Sequence, residues 1–164
     1  MERLGKTGII DDVPTPGKPP AVAPGKVPVK FNPADVDAFL DAKIAQLPEG
    51  SRFFLIGETQ GRLQFAAPKF GHKEAVEFWP RNMKFRPYDP ELHQQASIDF
   101  NKYLIRKLHE KGFKFYDLGA DTARKVPGSS PWYQAELEVL KELGVTPIKI
   151  TPKFEIPKFK PPGE

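Results

Sequence analysis

Residues 115–137 bring together the side chains of this chain that could carry out chemistry. The stretch reads FYDLGADTARKVPGSSPWYQAEL and lies between an apolar run and an amphipathic segment. Carboxylates, a guanidinium, hydroxyls and aromatic rings serve acid–base, phosphate and metal chemistry. The candidate residues are Asp117, Asp121, Arg124, Ser130, Trp132, Tyr133 and Glu136. We therefore expect the functional site to include this stretch.

The aspartates and the arginine of this stretch each have two interpretations. Asp117 and Asp121 flank Gly119, whose lack of a side chain lets the backbone turn sharply. The pair could bind ribose hydroxyls or a metal ion, or each aspartate could cap its own turn. Arg124 could bind a phosphate bidentately, or it could form an ion pair with Glu58 or Asp117.

Glu136 follows the predicted start of a helix at Ser130 and Pro131. We expect the positive end of the helix dipole to keep this carboxylate ionised at neutral pH. It could then stabilise a sugar cation or ligate a metal ion, unless it is simply a solvated surface glutamate. Ser130 is a good N-cap residue, and no neighbouring histidine supports a serine nucleophile.

Further candidates follow two apolar runs earlier in the chain. Glu58, Thr59 and Arg62 come after RFFLI, while Trp79 ends AVEFW and Arg81 follows it. Aromatic rings could stack on a base while arginines contact its phosphates, although such rings also build ordinary cores. The aromatic and arginine residues of this group are Trp79, Phe85, Tyr88, Trp132, Arg81 and Arg86.

Several kinds of chemistry are excluded by composition and spacing. The chain has no cysteine, so it can form neither a disulfide nor a thiolate site. Its three histidines, His72, His93 and His109, do not have the spacing of a histidine-cluster metal site. No phosphate-binding glycine loop and no apolar run of about 20 residues occurs. The net charge of +4 would suit a polyanionic substrate or an ordinary soluble surface.

The composition divides the chain into three parts. Residues 1–31 are rich in Pro and Gly, which favours an extended leader or linker. Residues 32–151 carry the helix and strand patterns of one domain, and residues 152–164 form a basic tail rich in Pro and Phe. The domain is predicted to contain helices over residues 32–47, from 60 to 68 or 71, 91–111 and 130–143, and strands over residues 52–56, 75–79, 113–118 and 145–150.

This alternation predicts an α/β fold, a Rossmann-like three-layer domain with a mostly parallel sheet of about four to five strands. In such sheets ligands bind beyond the carboxyl ends of the strands. We therefore expect three polar segments to converge there, namely residues 57–59, 79–81 and 117–121.

The spacing of these residues resembles a group of C-terminal toxin domains from bacterial polymorphic secreted toxins of the Rhs and contact-dependent inhibition types. The shared features are IGET at residues 56–59, DLGAD at 117–121 with Arg124, and then Ser130, Tyr133 and Glu136. The resemblance implies interbacterial competition, a larger delivery protein N-terminal to the domain, and a cognate immunity protein. It also implies that the effector is secreted or delivered and acts in the cytoplasm of the target cell.

Residues 130–137, SPWYQAEL, look like the S-x-W-x-x-x-E-L helix start of TIR-type domains. In that family the glutamate at the position of Glu136 cleaves the nicotinamide–ribose bond of NAD. The chain departs from the TIR pattern at Tyr133, where a cysteine is usual.

The function we expect is N-glycosidic cleavage of NAD or a related nucleotide by a toxin domain, with no cofactor. Glu136, Asp117 and Asp121 would be catalytic. The substrate would be bound by Glu58, Thr59, Arg62, Trp79, Arg81, Arg124, Ser130, Trp132 and Tyr133. One alternative is a metal-dependent nuclease in which Glu58, Asp117, Asp121 and Glu136 hold Mg²⁺. Another is a non-catalytic interaction module whose Pro-rich ends dock partners.

Overall fold

A computed structural model describes residues 27–83, 85 and 88–159. The predicted leader lies outside the described residues except for its last five positions, and so do residues 160–164 of the predicted tail. Lys84, Arg86 and Pro87 also lie outside them, and so does the predicted contact of Arg86 with a nucleotide.

Three parallel strands form the sheet, in the order β1 (Phe53–Ile56), β2 (Lys114–Asp117) and β3 (Ile148–Lys149). β1 is almost entirely buried, as its continuous apolar run predicts for a strand covered on both faces. On the other edge of β1, Lys73 makes one isolated parallel bridge with Phe54. The fourth and fifth predicted strands are not present among the described residues.

The strand predicted at residues 75–79 is wrong. This segment is a 3₁₀ helix, Ala75–Phe78, and only Lys73, two residues before it, pairs with β1. The Glu74 side chain accepts a hydrogen bond from the Val76 backbone N–H and caps the helix. A local side-chain bond of this kind competes with strand pairing for the same backbone donor. Of this 3₁₀ helix, the Phe78 side chain is buried in the core, whereas Val76 is exposed.

Four helices accompany the sheet: α1 (Asp37–Ala45), α2 (Gln60–Phe70), α3 (Pro90–Glu110) and α4 (Pro131–Glu142). All four were predicted, with one difference at the first. Asn32 caps a separate 3₁₀ turn, Pro33–Asp35, so α1 begins several residues later than its cap pattern suggests. No helix among the described residues has the length and apolarity needed to cross a bilayer.

The core lies on both faces of the sheet, because successive residues of a strand point to opposite sides. Phe54 and Ile56 belong to the larger cluster, which α1, α3 and α4 complete. Leu55 belongs to a smaller cluster, which α2 completes with Leu63 and Ala66. Helices therefore cover both faces of the sheet, and the carboxyl ends of β1 and β2 meet the first turns of α2 and α4.

Residues 152–159, predicted as part of an extended basic tail, have no regular secondary structure but pack against α2. The Phe154 ring lies 6.2 Å from that of Phe65 and 5.4 Å from that of Phe70, between ring centres. The Phe159 ring lies 6.3 Å from that of Phe65. The segment thereby covers the outer side of α2.

Candidate functional site

A cavity of about 560 Å³ opens between the carboxyl end of β1, the 3₁₀ segment, α3 and the start of α4. Its size suits a small organic ligand. The side chains that matter for chemistry among its described lining are Glu74, Glu136, Asn101, Arg124, Trp79, Phe85, Tyr88 and Trp132. Only part of this set comes from the stretch that the sequence singled out.

Glu136 projects into the cavity from the second turn of α4 and is only 3% exposed. Its Oε2 accepts a hydrogen bond of 2.8 Å from Asn101 Nδ2. Its Oε1 has no hydrogen-bond partner of good geometry within the described chain. Burial raises the pKa of Glu136 to about 8, against the effect of Asn101 and the Gly57 N–H, and the charges of Asp117 and Glu74 raise it further.

The expectation that the helix dipole keeps Glu136 ionised is therefore wrong. Glu136 is the sixth residue of α4, beyond the first turn where the dipole acts. Desolvation of a buried carboxylate then exceeds any dipole effect. The alternative of a solvated surface glutamate is equally excluded by the burial of the side chain.

Glu74 is a second carboxyl in the cavity, and the sequence reasoning missed it. It is 5% exposed, and its Oε2 accepts a hydrogen bond of 3.1 Å from the Val76 N–H. Burial raises the pKa of Glu74 to about 7, with the Val76 N–H opposing and the charge of Glu77 adding to the rise. The available signal was a glutamate next to an apolar run, the pattern of a capping carboxylate.

Glu58 is fully buried and organises the loop after β2 rather than lining the cavity. Its Oε1 accepts hydrogen bonds from the backbone N–H groups of Asp121 at 2.8 Å and Gly128 at 2.7 Å. Its Oε2 accepts one from Ser130 N–H at 2.7 Å and lies 3.5 Å from Arg124 Nε. The structure thus contains the ion pair that we considered as one interpretation of Arg124, and Arg124 also lines the cavity.

Asp117 and Asp121 are buried beside the cavity and do not line it. Asp117 accepts hydrogen bonds from the Tyr133 hydroxyl at 3.0 Å and from Gly119 N–H at 2.8 Å. Asp121 accepts them from the Thr59 hydroxyl at 2.5 Å and from its own turn. Both aspartates therefore have the turn-capping geometry, in addition to a bond from another element.

The residues around these aspartates connect the strand ends. Thr59 lines the cavity and has a φ of 64°, a conformation that costs free energy in a residue other than glycine. Burial, followed by the charge of Asp117, raises the pKa of Tyr133. The Arg62 guanidinium donates to the carbonyls of Glu58 at 2.9 Å and of Gly119 at 3.2 Å, which ties the ends of β1 and β2 together.

Aromatic side chains form much of the remaining wall. Trp79 meets Phe85 edge to face with ring centres 5.2 Å apart. Trp132 donates from its indole N–H to Ser97 Oγ at 2.8 Å, which fixes the ring at the start of α4. Ser130 lines the cavity and caps α4, as predicted. Arg81 is exposed and does not line the cavity.

The three polar segments at the predicted strand ends converge in part. Residues 57–59 and 117–121 meet through Glu58 and Thr59, whose bonds reach Asp121. Trp79 reaches the cavity from a 3₁₀ helix instead of a strand end. Among the described residues, no group of three or more His, Asp or Glu side chains has the arrangement of a metal site.

Comparisons of the chain with protein-family models, with curated proteins and with solved structures find no match.

Proposed function

We propose that this chain is the catalytic domain of a bacterial effector toxin that hydrolyses the N-glycosidic bond of NAD or a related nucleotide. One observation carries the proposal. Glu136 is a buried carboxyl that lines the cavity. One of its oxygens accepts a hydrogen bond from Asn101, and the other has no partner of good geometry within the described chain. A buried titratable group in a cleft with a strongly raised pKa is a typical mark of a functional site.

The reaction needs little from the enzyme besides electrostatic stabilisation and a proton acceptor. The bond between the anomeric carbon and the ring nitrogen breaks, and its electron pair neutralises the positive charge of the nicotinamide ring. The sugar becomes an oxocarbenium-like cation, which an adjacent carboxylate stabilises. A water oxygen then bonds to the anomeric carbon, and the proton it loses is accepted by a carboxylate of the cavity.

The proposed roles follow from which side chains line the cavity. Glu136 stabilises the sugar cation, and Asn101 holds it in position. Arg124, which lies in the loop that Glu58 organises and lines the cavity, contacts phosphate, because a guanidinium can bind a phosphate bidentately. Trp79 and Trp132 contact the nicotinamide ring or the corresponding base of a related nucleotide. Asp117 and Asp121, which we expected on the ribose, act instead as positioning residues of the loop because they do not line the cavity.

The fold and the sequence resemblance support the biological setting of this reaction. Parallel strands with helices on both faces support a Rossmann-like layout, in which ligands bind at the carboxyl edge. The resemblance to polymorphic toxin domains supports delivery by a larger protein into the target-cell cytoplasm and neutralisation by a cognate immunity protein.

The test is NAD hydrolysis by the purified chain, together with growth after expression in a bacterial cytoplasm. Glu136→Gln keeps the shape of the side chain and removes its charge, so we expect activity to fall by about 100-fold or more. Glu138→Gln is the matched control, since Glu138 lies on the same helix but its side chain is 63% exposed. Intact NAD, with nucleic acid cleaved only in the absence of EDTA, would overturn the proposal in favour of the nuclease.

A further inference from the structure

We propose that the cavity is a receptor for a flat organic cation, whose charge faces Glu74 and Glu136 and whose ring lies against Trp79 and Trp132. The inference rests on the proposed function in that it concerns the same site, and it specifies the chemical class of the group recognised there. The pyridinium ring of oxidised NAD belongs to this class, and the neutral dihydropyridine ring of reduced NAD does not.

The charge of the described lining favours a cationic ligand. Glu74 and Glu136 are each more than nine-tenths buried. Arg124 is the cationic side chain of the described lining, and its charge is already offset by Glu58 3.5 Å away. Two ionised carboxylates in one buried cavity are costly unless a positive charge accompanies them. A cation that enters the cavity supplies that charge.

Two buried acceptor atoms in the cavity favour a ligand that carries hydrogen-bond donors. Glu136 Oε1 and Asn101 Oδ1 both belong to side chains that line the cavity, and neither has a hydrogen-bond partner of good geometry within the described chain. Asn101 is only 4% exposed. A buried acceptor without a donor costs free energy, so both atoms favour a ligand that brings N–H or O–H donors. A carboxamide on the cationic ring provides such donors.

The aromatic wall of the cavity suits a flat cationic ring. Trp79 and Trp132 line the same cavity as the two carboxyls, with Phe85 and Tyr88 beside them. The faces of aromatic rings attract cations, Trp most strongly, and a flat cationic ring gains contact area as well. Carboxylates together with aromatic faces distinguish a cation receptor from a site for a neutral base, which would need no buried acid.

Binding of a cation should also displace a proton. Near neutral pH, burial leaves both carboxyls partly protonated, because the pKa of Glu74 is raised to about 7 and that of Glu136 to about 8. The charges that act on them are negative, namely that of Glu77 on Glu74 and those of Asp117 and Glu74 on Glu136, so none of them stabilises the ionised forms. A bound cation lowers both pKa values, so one carboxyl loses its proton to the solvent.

The experiment compares two probes that lack a glycosidic bond, so its result does not depend on cleavage. One is nicotinamide methylated on its ring nitrogen, a cation, and the other is neutral nicotinamide. We would titrate the full chain at pH 7.5 by tryptophan fluorescence, and by calorimetry in two buffers of different ionisation enthalpy. We expect the cation to bind at least about tenfold more tightly than nicotinamide, with net release of protons.

Variants assign the effect to the two carboxyls. Glu74→Gln and Glu136→Gln should each reduce the preference for the cation and the proton release, whereas Glu138→Gln should change neither. A thermal melt of each variant ensures that only folded protein is compared. Equal affinities for the two probes, or no binding of either, would overturn the inference. If the cation is preferred but NAD is not hydrolysed, the receptor stands and the proposed reaction fails.

Discussion

Asn101 Nδ2 donates a hydrogen bond of 2.8 Å to Glu136 Oε2, joining the middle of α3 to the second turn of α4 at the cavity wall. This bond favours the ionised carboxylate and holds its pKa below the value that burial alone would give. The two residues are 35 positions apart in sequence. A side chain of α3 therefore lowers the pKa of the candidate catalytic carboxyl on α4.

Replacement of Asn101 by Leu should move the pH dependence of NAD hydrolysis to higher pH. The side chain keeps a similar size but no longer donates to Glu136, so the pKa of Glu136 rises further and less of it is ionised at pH 7. Each unit of pKa lowers the ionised fraction about tenfold. The measurement is kcat/KM from pH 6 to pH 10. Gln95→Leu, on the exposed side of the same helix, should leave the profile in place, and an acid shift in Asn101→Leu would contradict the role assigned to the bond.

The raised pKa of Glu136 also predicts how stability changes with pH. Between about pH 4.5 and pH 8 the folded chain holds a proton on Glu136 that the unfolded chain releases. Stability therefore falls as pH rises through this window, by up to about 1.4 kcal/mol per pH unit for this group. Glu136→Gln has no such proton, so its free energy of unfolding relative to the unmodified chain should increase from pH 5 to pH 9.

Urea unfolding of both proteins across this range measures the difference in their free energies of unfolding directly. The contributions of the other titrating groups are shared by both proteins and largely cancel in this difference. Glu138→Gln is again the control and should follow the unmodified chain. A constant difference between Glu136→Gln and the unmodified chain at all pH values would show that the carboxyl is not protonated in the folded state.

The fold could be predicted from the sequence wherever one local pattern decides the outcome. The apolar stripe and end signals of α3, and the dense run of β1, produced elements close to those predicted. The prediction for residues 75–79 was wrong because AVEFW has the composition of a strand, whereas the side chain of the preceding residue, Glu74, caps a helical turn. A capping bond of this kind depends on where the side chain is buried, which the run itself does not reveal.

The site was predictable only as far as its residues lie at predicted strand ends. The loop 117–130 was placed correctly, but the sequence could not show that Glu58 accepts three of its backbone N–H groups. It also could not show that Asn101, on an otherwise unremarkable face of α3, meets Glu136. These are long-range contacts between polar groups, and no periodicity encodes them.

Glu58→Gln should loosen the loop between β2 and α4. A glutamine offers one acceptor oxygen and replaces the other with donors, so at least one of the N–H groups of Asp121, Gly128 and Ser130 then faces another donor. The buried charge that pairs with Arg124 is also lost. We expect a loss of about 3 kcal/mol in the free energy of unfolding.

Hydrogen exchange distinguishes this local effect from general destabilisation. In the unmodified chain the amides of Asp121, Gly128 and Ser130 should be protected, and in Glu58→Gln they should exchange faster than the amides of β1. Glu49→Gln, at an exposed turn, is the control and should change neither quantity. Uniform loss of protection, or none, would mean that Glu58 does not order the loop.

Gly61 and Phe159 should behave as a coupled pair. A Cβ at Gly61 would lie 2.5 Å from the Phe159 ring, so Gly61→Ala should displace residues 152–159 from α2. Gly61 does not have a positive φ, and alanine is favoured over glycine in a helix by roughly 0.5–1 kcal/mol. The same substitution should therefore destabilise the full chain but stabilise a Phe159→Ala background, in which the obstructing ring is gone. A thermodynamic cycle of the two single variants and the double variant measures this coupling, and trypsin cleavage at Lys153 and Lys158 reports release of the segment. If Gly61→Ala had the same effect in both backgrounds, the Phe159 ring would not lie against Gly61 in solution.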